Sequence, residues 1–145
     1  MENNPITVLI FIMKMKIINW KTPSTLEKCI EVLNNDGVIA YPTDTLYGLG
    51  CNAKSPRAIK KINKIKRRNS PISIIINSEK SILNWINIDP KYKRVVFEKL
   101  SSSNTVILPI KKGFVSDLIL GGDQTLGVRI PHHRFCSQIT EKYPH

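Results

Sequence analysis

A short apolar run that ends abruptly in a hydroxyl-rich loop is the feature of this sequence that most restricts its fold. Val38–Tyr41 is apolar and is followed by Pro42-Thr-Asp-Thr-Leu-Tyr-Gly-Leu-Gly50. Pro42 fixes its own φ and favours an extended conformation in the residue before it, whereas Gly48 and Gly50 allow close approaches that a Cβ would prevent. The pattern predicts a strand that ends in a polar loop. That loop either binds a ligand or is a tight turn with solvated hydroxyls, and its residues alone leave both interpretations open.

Helical and extended patterns alternate along the rest of the chain. Apolar residues at helical spacing predict helices at about residues 25–34, 55–66, 79–85, 90–100 and 135–143. Short apolar runs predict strands at residues 16–20, 38–41, 73–77, 105–110 and 126–130. A length of 145 residues with 41% hydrophobic content fits one domain with its own core. The alternation therefore predicts a single-domain α/β or α+β fold.

The helix expected at residues 55–66 has a basic side. Ser55 is a typical N-cap and Pro56 a typical first residue, and the side facing the core is expected to carry Ala58, Ile59, Ile62 and Ile65. Eight Lys and Arg residues lie between residues 54 and 68 with no acid among them, in a chain of net charge +11. This charge predicts attraction to nucleotide phosphates or nucleic acid, although a solvated helix face would account for most of the lysines.

The first 15 residues are assigned to an N-terminal extension, and the domain to residues 16–145. Ile6–Met13 is apolar for only eight residues and lacks a preceding basic region, so it predicts neither a membrane span nor a typical signal peptide. A natural start at Met13 or Met15 stays open. The three cysteines lack metal-ligand or disulfide spacing, which predicts reduced thiols in a cytoplasmic protein with no membrane partner.

Three ordered blocks carry a more specific signal. The first is the Pro42–Gly50 run, with Gly37-Val-Ile-Ala before it and Cys51-Asn-Ala after it. The second is Lys66-Arg67-Arg68 followed by Pro71-Ile-Ser73, and the third is Gly127-Val-Arg-Ile-Pro-His132. Together they resemble the threonylcarbamoyl-AMP synthase family, the YrdC-type domain, over roughly residues 24–144. The resemblance implies a single open, twisted, mixed β-sheet with flanking helices.

The resemblance also implies a reaction. A member of this family would be an L-threonylcarbamoyladenylate synthase, a nucleotidyltransferase that joins L-threonine, bicarbonate and ATP into threonylcarbamoyl-AMP and pyrophosphate. The product serves tRNA N6-threonylcarbamoyladenosine synthesis through a downstream tRNA threonylcarbamoyl transferase. Mg²⁺ is expected to be carried by the triphosphate, and no protein metal ligand is assigned.

Five residues take their expected roles from the resemblance. Lys66 and Arg68 are assigned to catalysis and to ATP binding, where a cationic site would stabilise charge on the phosphoryl oxygens. Thr43 and Arg129 are assigned to L-threonine, with Arg129 on the carboxylate, and Thr125 is assigned to ATP. In an extended segment alternate residues point the same way, so Lys66 and Arg68 are expected to face the site together. If residues 66–68 instead continued the helix, Lys66 and Arg68 would not be expected to face the site together.

The sequence departs from the family pattern in two places. Ser101-Ser-Ser-Asn-Thr105 stands where the family carries Pro-Gly-Pro-x-Thr, so a more flexible loop is expected. The chain ends at Tyr143-Pro-His145, where a Ser or Thr, Ala, Asn element would begin, and this predicts a domain that is incomplete at its C-terminus. His132 and His133 are expected to be structural. The competing hypothesis is a non-catalytic basic module that binds double-stranded RNA or tRNA.

Overall fold

The computed structural model describes residues 7–11 and 15–143. The possible start at Met13 lies outside these residues, as do the last two residues of the chain. No helix in the described ranges is long and apolar enough to cross a membrane.

Seven strands and four α-helices alternate through the described chain. The strands are β1 (Thr7–Phe11), β2 (Met15–Asn19), β3 (Val38–Tyr41), β4 (Gly48–Gly50), β5 (Ile74–Ile75), β6 (Val106–Pro109) and β7 (Thr125–Arg129). The helices are α1 (Thr25–Asn34), α2 (Pro56–Lys66), α3 (Lys93–Ser101) and α4 (Arg134–Lys142). Short 3-10 turns occupy Glu79–Ile82, Pro90–Tyr92, Asp117–Ile119 and Gly122–Gln124.

The strands form two small sheets. One has four antiparallel strands in the order β2-β1-β3-β4, and the other has three strands in the order β5-β7-β6. In the second sheet β5 runs parallel to β7 and β6 runs antiparallel to it. The predicted mixed α/β fold class is confirmed. One sheet was expected, however, and the strands form two.

The N-terminal strand β1 belongs to the four-stranded sheet. It pairs with β2 through Phe11 opposite Met15, and with β3 through Leu9 opposite Ala40. The sequence assigned residues 1–15 to an extension, and the structure corrects this for residues 7–11. An eight-residue apolar run is too short for a membrane, but it suits a strand that is hydrogen-bonded on both edges.

Two further expectations are corrected at the level of single elements. Residues 79–85 were predicted to form a helix, yet only a 3-10 turn forms at Glu79–Ile82. Ile65 was expected to face the core, and it is 42% exposed because α2 ends one residue later, at Lys66. The other three apolar residues of that stripe are buried as predicted.

The core consists of two apolar clusters. The larger contains Ile59 of α2, Leu108 of β6 and Val128 of β7, and the smaller contains Tyr41 and Phe135 with residues from α1 and α4. The rings of Tyr41 and Phe135 stack with centroids 6.3 Å apart. This stacking packs α4 against the end of β3, at the point where the hydroxyl-rich loop begins.

Helix α4 begins with a histidine cap. Nδ1 of His133 accepts a hydrogen bond from the Phe135 N–H at 3.1 Å, so the imidazole is neutral when it caps the helix. Burial of His133 lowers its pKa below the usual 6.5, and the nearby charge of Asp44 only partly opposes this. The edge of the Trp20 ring also packs against it, with centroids 5.0 Å apart.

We expect this cap to make stability depend on pH. The unfolded chain takes up a proton on His133 near pH 6.5 and the folded protein does so only at lower pH, so the free energy of unfolding should fall as the pH drops below 6.5. His133→Asn keeps a capping acceptor without this titration and should flatten the fall. Urea unfolding between pH 7.5 and 5 measures this free energy. His132→Asn is the control, because His132 is exposed. An unchanged pH dependence in His133→Asn would contradict the role of the cap.

Candidate functional site

The loop after β3 is shaped by its own hydroxyls. Thr43 Oγ1 donates to the Leu46 carbonyl at 2.5 Å and accepts from the Thr45 N–H at 3.1 Å. Its single O–H is therefore used within the loop, and only a lone pair remains for a donor on a ligand. The Sγ of Cys136 donates to the Pro42 carbonyl at 3.2 Å and ties this loop to α4.

An ion pair connects this loop to the second sheet. Nη2 of Arg129, the last residue of β7, lies 2.8 Å from Oδ1 of Asp44 and 3.4 Å from Oγ1 of Thr45. Both charged side chains are mostly buried, at 22% exposure for Arg129 and 14% for Asp44. The sequence expected Arg129 to meet either solvent or an anion, and in the structure it meets Asp44.

Asp44 receives a second donor. Its Oδ2 accepts from the His132 N–H at 3.1 Å. Burial of Asp44 works against its ionisation, but hydrogen bonding from His132 and Ser103 and the charge of Arg129 hold its pKa below the usual value. The carboxylate is therefore ionised at neutral pH.

The structure brings Thr43 and Arg129 together. The Thr45 hydroxyl lies 3.4 Å from the Arg129 guanidinium and 3.3 Å from the Thr43 hydroxyl, so both groups are within reach of one small ligand. The Nε of Arg129 is buried, and no acceptor in the described chain contacts it. A buried N–H without an acceptor is costly, which makes this guanidinium suited to binding an anion.

Lys66 and Arg68 do not lie on an extended segment. Lys66 is the last residue of α2, and Arg67 follows in the left-handed region at φ 51°, where its N–H still bonds back to the helix. The alternation argument that paired Lys66 with Arg68 is therefore wrong. Partial desolvation and, after it, the nearby charge of Arg68 lower the pKa of Lys66.

A shallow basic groove lies at the end of α2. It is lined by Lys60, Asn63, Lys64, Arg67, Arg68 and Asn69. Lys66 is not among these residues, so the helix end presents its cations in more than one direction.

Thr125 lies at the opposite end of β7 from Arg129. Its hydroxyl donates to the Gly122 carbonyl at 2.8 Å, so it too offers a ligand only lone pairs. A Cβ on Gly121 would lie 2.8 Å from Oγ1 of Thr125, and glycine is what allows this close turn. The nearby Gln124 and Ser70 each contain a buried side-chain oxygen without a partner in the described chain.

Sequence reasoning missed the residues that organise the site. Asp44 was considered as the one carboxylate of the loop motif, where it is not enough for a metal site, and it was not paired with Arg129. No local pattern pairs Asp44 with Arg129, because 85 residues separate them. In the described ranges, no group of three or more His, Cys, Asp or Glu side chains is arranged to hold a metal ion.

Residues 31–145 match the Sua5/YciO/YrdC family model, which has the description "Telomere recombination". The chain belongs to the Sua5/YciO/YrdC family. This confirms the resemblance inferred from the three sequence blocks.

Named relatives and a solved structure of the Sua5/YciO/YrdC family agree with this assignment. The chain is 30% identical over 130 residues to the threonylcarbamoyl-AMP synthase of Saccharophagus degradans, covering 86% of this chain and 66% of that protein. It is 30% identical over 124 residues to the enzyme of the same name from Buchnera aphidicola, covering 82% and 66%. Its structure matches P. abyssi Sua5 complexed with L-threonine, with TM-score 0.70, 28% identity, and coverage of 87% of this chain and 36% of that one. The chain thus spans about two thirds of the curated relatives it matches.

We expect the Asp44 contacts to contribute measurably to stability. Asp44→Ala leaves Nη2 of Arg129 and the His132 N–H without their acceptors, so the free energy of unfolding should fall by about 1 to 3 kcal/mol. The exposed pair of Arg94 and Glu98 provides the control, and Glu98→Ala should cost about 0.5 kcal/mol or less. Urea unfolding at pH 7 measures both. Equal losses would show that Asp44 behaves as a surface charge.

Proposed function

We propose that this chain is an L-threonylcarbamoyladenylate synthase domain, which forms threonylcarbamoyl-AMP and pyrophosphate from L-threonine, bicarbonate and ATP. Its family and the name carried by its relatives support this. The single observation that carries the proposal is Arg129, whose buried Nε has no acceptor in the described chain and whose guanidinium lies 3.4 Å from the Thr45 hydroxyl, which in turn lies 3.3 Å from the Thr43 hydroxyl.

Arg129 would bind the carboxylate of L-threonine. A guanidinium matches a carboxylate in shape and charge, and its partial burial strengthens such a bond. Thr43 would accept a hydrogen bond from the amino acid, since its own proton already bonds to Leu46. P. abyssi Sua5, a structural relative, has been crystallised with L-threonine, which supports this choice of ligand.

Lys66, Arg68 and Thr125 would serve ATP. The carbamate formed on the threonine amine attacks the α-phosphorus, and the bond from that phosphorus to the pyrophosphate oxygen breaks. Both reactants are anions, so cations that neutralise the phosphoryl oxygens lower the barrier. Mg²⁺ would travel with the triphosphate, since the described chain offers it no cluster of ligands.

The product would be passed to a tRNA threonylcarbamoyl transferase in the cytoplasm, where the three cysteines would stay reduced. The basic groove at the end of α2 also supports the second candidate, a module that binds tRNA or double-stranded RNA. The two candidates differ in how localised their basic residues need to be. A nucleotide needs particular cations, whereas an RNA backbone contacts many in a similar way.

We predict that Arg129→Lys weakens L-threonine binding by about tenfold or more, because lysine cannot reproduce the planar donors of the guanidinium. Isothermal titration calorimetry with L-threonine at pH 7.5 measures it. Arg94→Lys is the control, since Arg94 is 89% exposed and bonds only to Glu98 on α3. Unchanged affinity in Arg129→Lys would exclude Arg129 from the threonine site.

We also predict that Lys66→Ala or Arg68→Ala weakens ATP binding by roughly 1.5 to 3 kcal/mol, the scale of a charge-assisted hydrogen bond. Lys60 lines the same basic groove as Arg68, but Lys60→Ala should have a much smaller effect if particular cations bind the nucleotide. Calorimetry with Mg-ATP compares the three variants. Similar losses at all three positions would indicate a diffuse polyanion surface and favour the RNA-binding candidate.

A further inference from the structure

We infer that Asp44 is a positioning residue for substrate binding: it fixes the Arg129 guanidinium in the orientation that receives the substrate carboxylate. The inference rests on the proposed function of Arg129. It extends that function to a carboxylate that would not itself bind the substrate carboxylate.

The contacts of Asp44 come from two parts of the fold. Arg129 donates to Oδ1 from the end of β7, and His132 donates its backbone N–H to Oδ2 from the segment that leads into α4. The Asp44 side chain is 14% exposed. A carboxylate with donors on both oxygens has little freedom to rotate, so the Arg129 side chain bonded to it is also fixed.

Charge and order have opposite effects here. A carboxylate beside Arg129 reduces the positive potential that a substrate carboxylate meets, so by charge alone Asp44 would weaken binding. An ordered guanidinium, however, loses less conformational entropy when it binds. Arginine has many rotamers, and the Nε of Arg129 is already buried without an acceptor in the described chain. We take the ordering effect to be the larger one, and the affinity of Asp44→Asn tests this.

Asp89 provides a matched control. Its Oδ1 accepts from the Lys91 N–H at 2.9 Å and its Oδ2 lies 3.1 Å from Nζ of Lys91, so it too combines a backbone donor with a cation. Its side chain is 48% exposed.

The first test measures L-threonine affinity of the 145-residue chain by calorimetry at pH 7.5. Asp44→Asn removes the charge and keeps an acceptor oxygen for only one of the two donors, Arg129 or His132, and we expect about tenfold weaker binding. Asp89→Asn should not change it. Tighter binding by Asp44→Asn would overturn the inference, because the charge effect would then dominate. If Asp44→Asn does not fold, Asp44→Glu takes its place: it keeps the charge but moves the carboxylate by one methylene, and unchanged affinity would overturn the inference.

A second readout needs no ligand. The Nε–Hε resonance of Arg129 in ¹⁵N NMR spectra, assigned by its loss in Arg129→Lys, should be sharp in the parent chain and broadened or shifted in Asp44→Asn. If the parent chain does not bind L-threonine, the proposed function fails while this measurement still tests the positioning. An unchanged resonance would overturn the inference. So would a lower melting temperature in Asp44→Asn with unchanged affinity, which would mean a structural role only.

Discussion

The ion pair between Asp44 and Arg129 is the interaction on which the geometry of the candidate site depends. The loop that follows β3 belongs to the four-stranded sheet, whereas Arg129 ends β7 in the three-stranded sheet. No backbone ladder joins the two sheets in the described chain, so hydrogen-bond register cannot align these two segments. A partly buried ion pair, supported by the His132 N–H, can align them, because breaking the pair would leave both charges unpaired away from water.

Packing near this pair supports the same alignment. Tyr41 ends β3 and stacks on Phe135 of α4, while Cys136 bonds to the carbonyl of Pro42. Helix α4 starts at the His133 cap, immediately after the residue whose N–H bonds to Asp44. The apolar and polar contacts thus converge on the same short loop. The loop is polar in sequence, yet it is held in place from the core side.

The sequence predicted local features well and long-range ones poorly. Val38–Tyr41 and the Ser55 cap of α2 follow from apolar pattern and capping chemistry, and the structure has both. The end of α2 was mispredicted because a left-handed Arg67 has no sequence signal of the kind that glycine gives. Asp44 was visible in the motif, but its partners lie 85 or more residues away in sequence and became apparent only in three dimensions.

The position of the site residues along β7 fits the proposed chemistry. Thr125 and Arg129 are four residues apart in an extended strand, a separation of about 13 Å. A reaction that joins an amino acid to a nucleotide needs one anchor for a carboxylate and another for the nucleotide, held at a fixed distance by a stiff element. A strand paired on both sides is such an element, since β5 and β6 both bond to β7. The orientation of each reactant would then depend on side chains at the strand ends. Asp44 matters to the site for this reason, because it bonds to Arg129 at one of these ends.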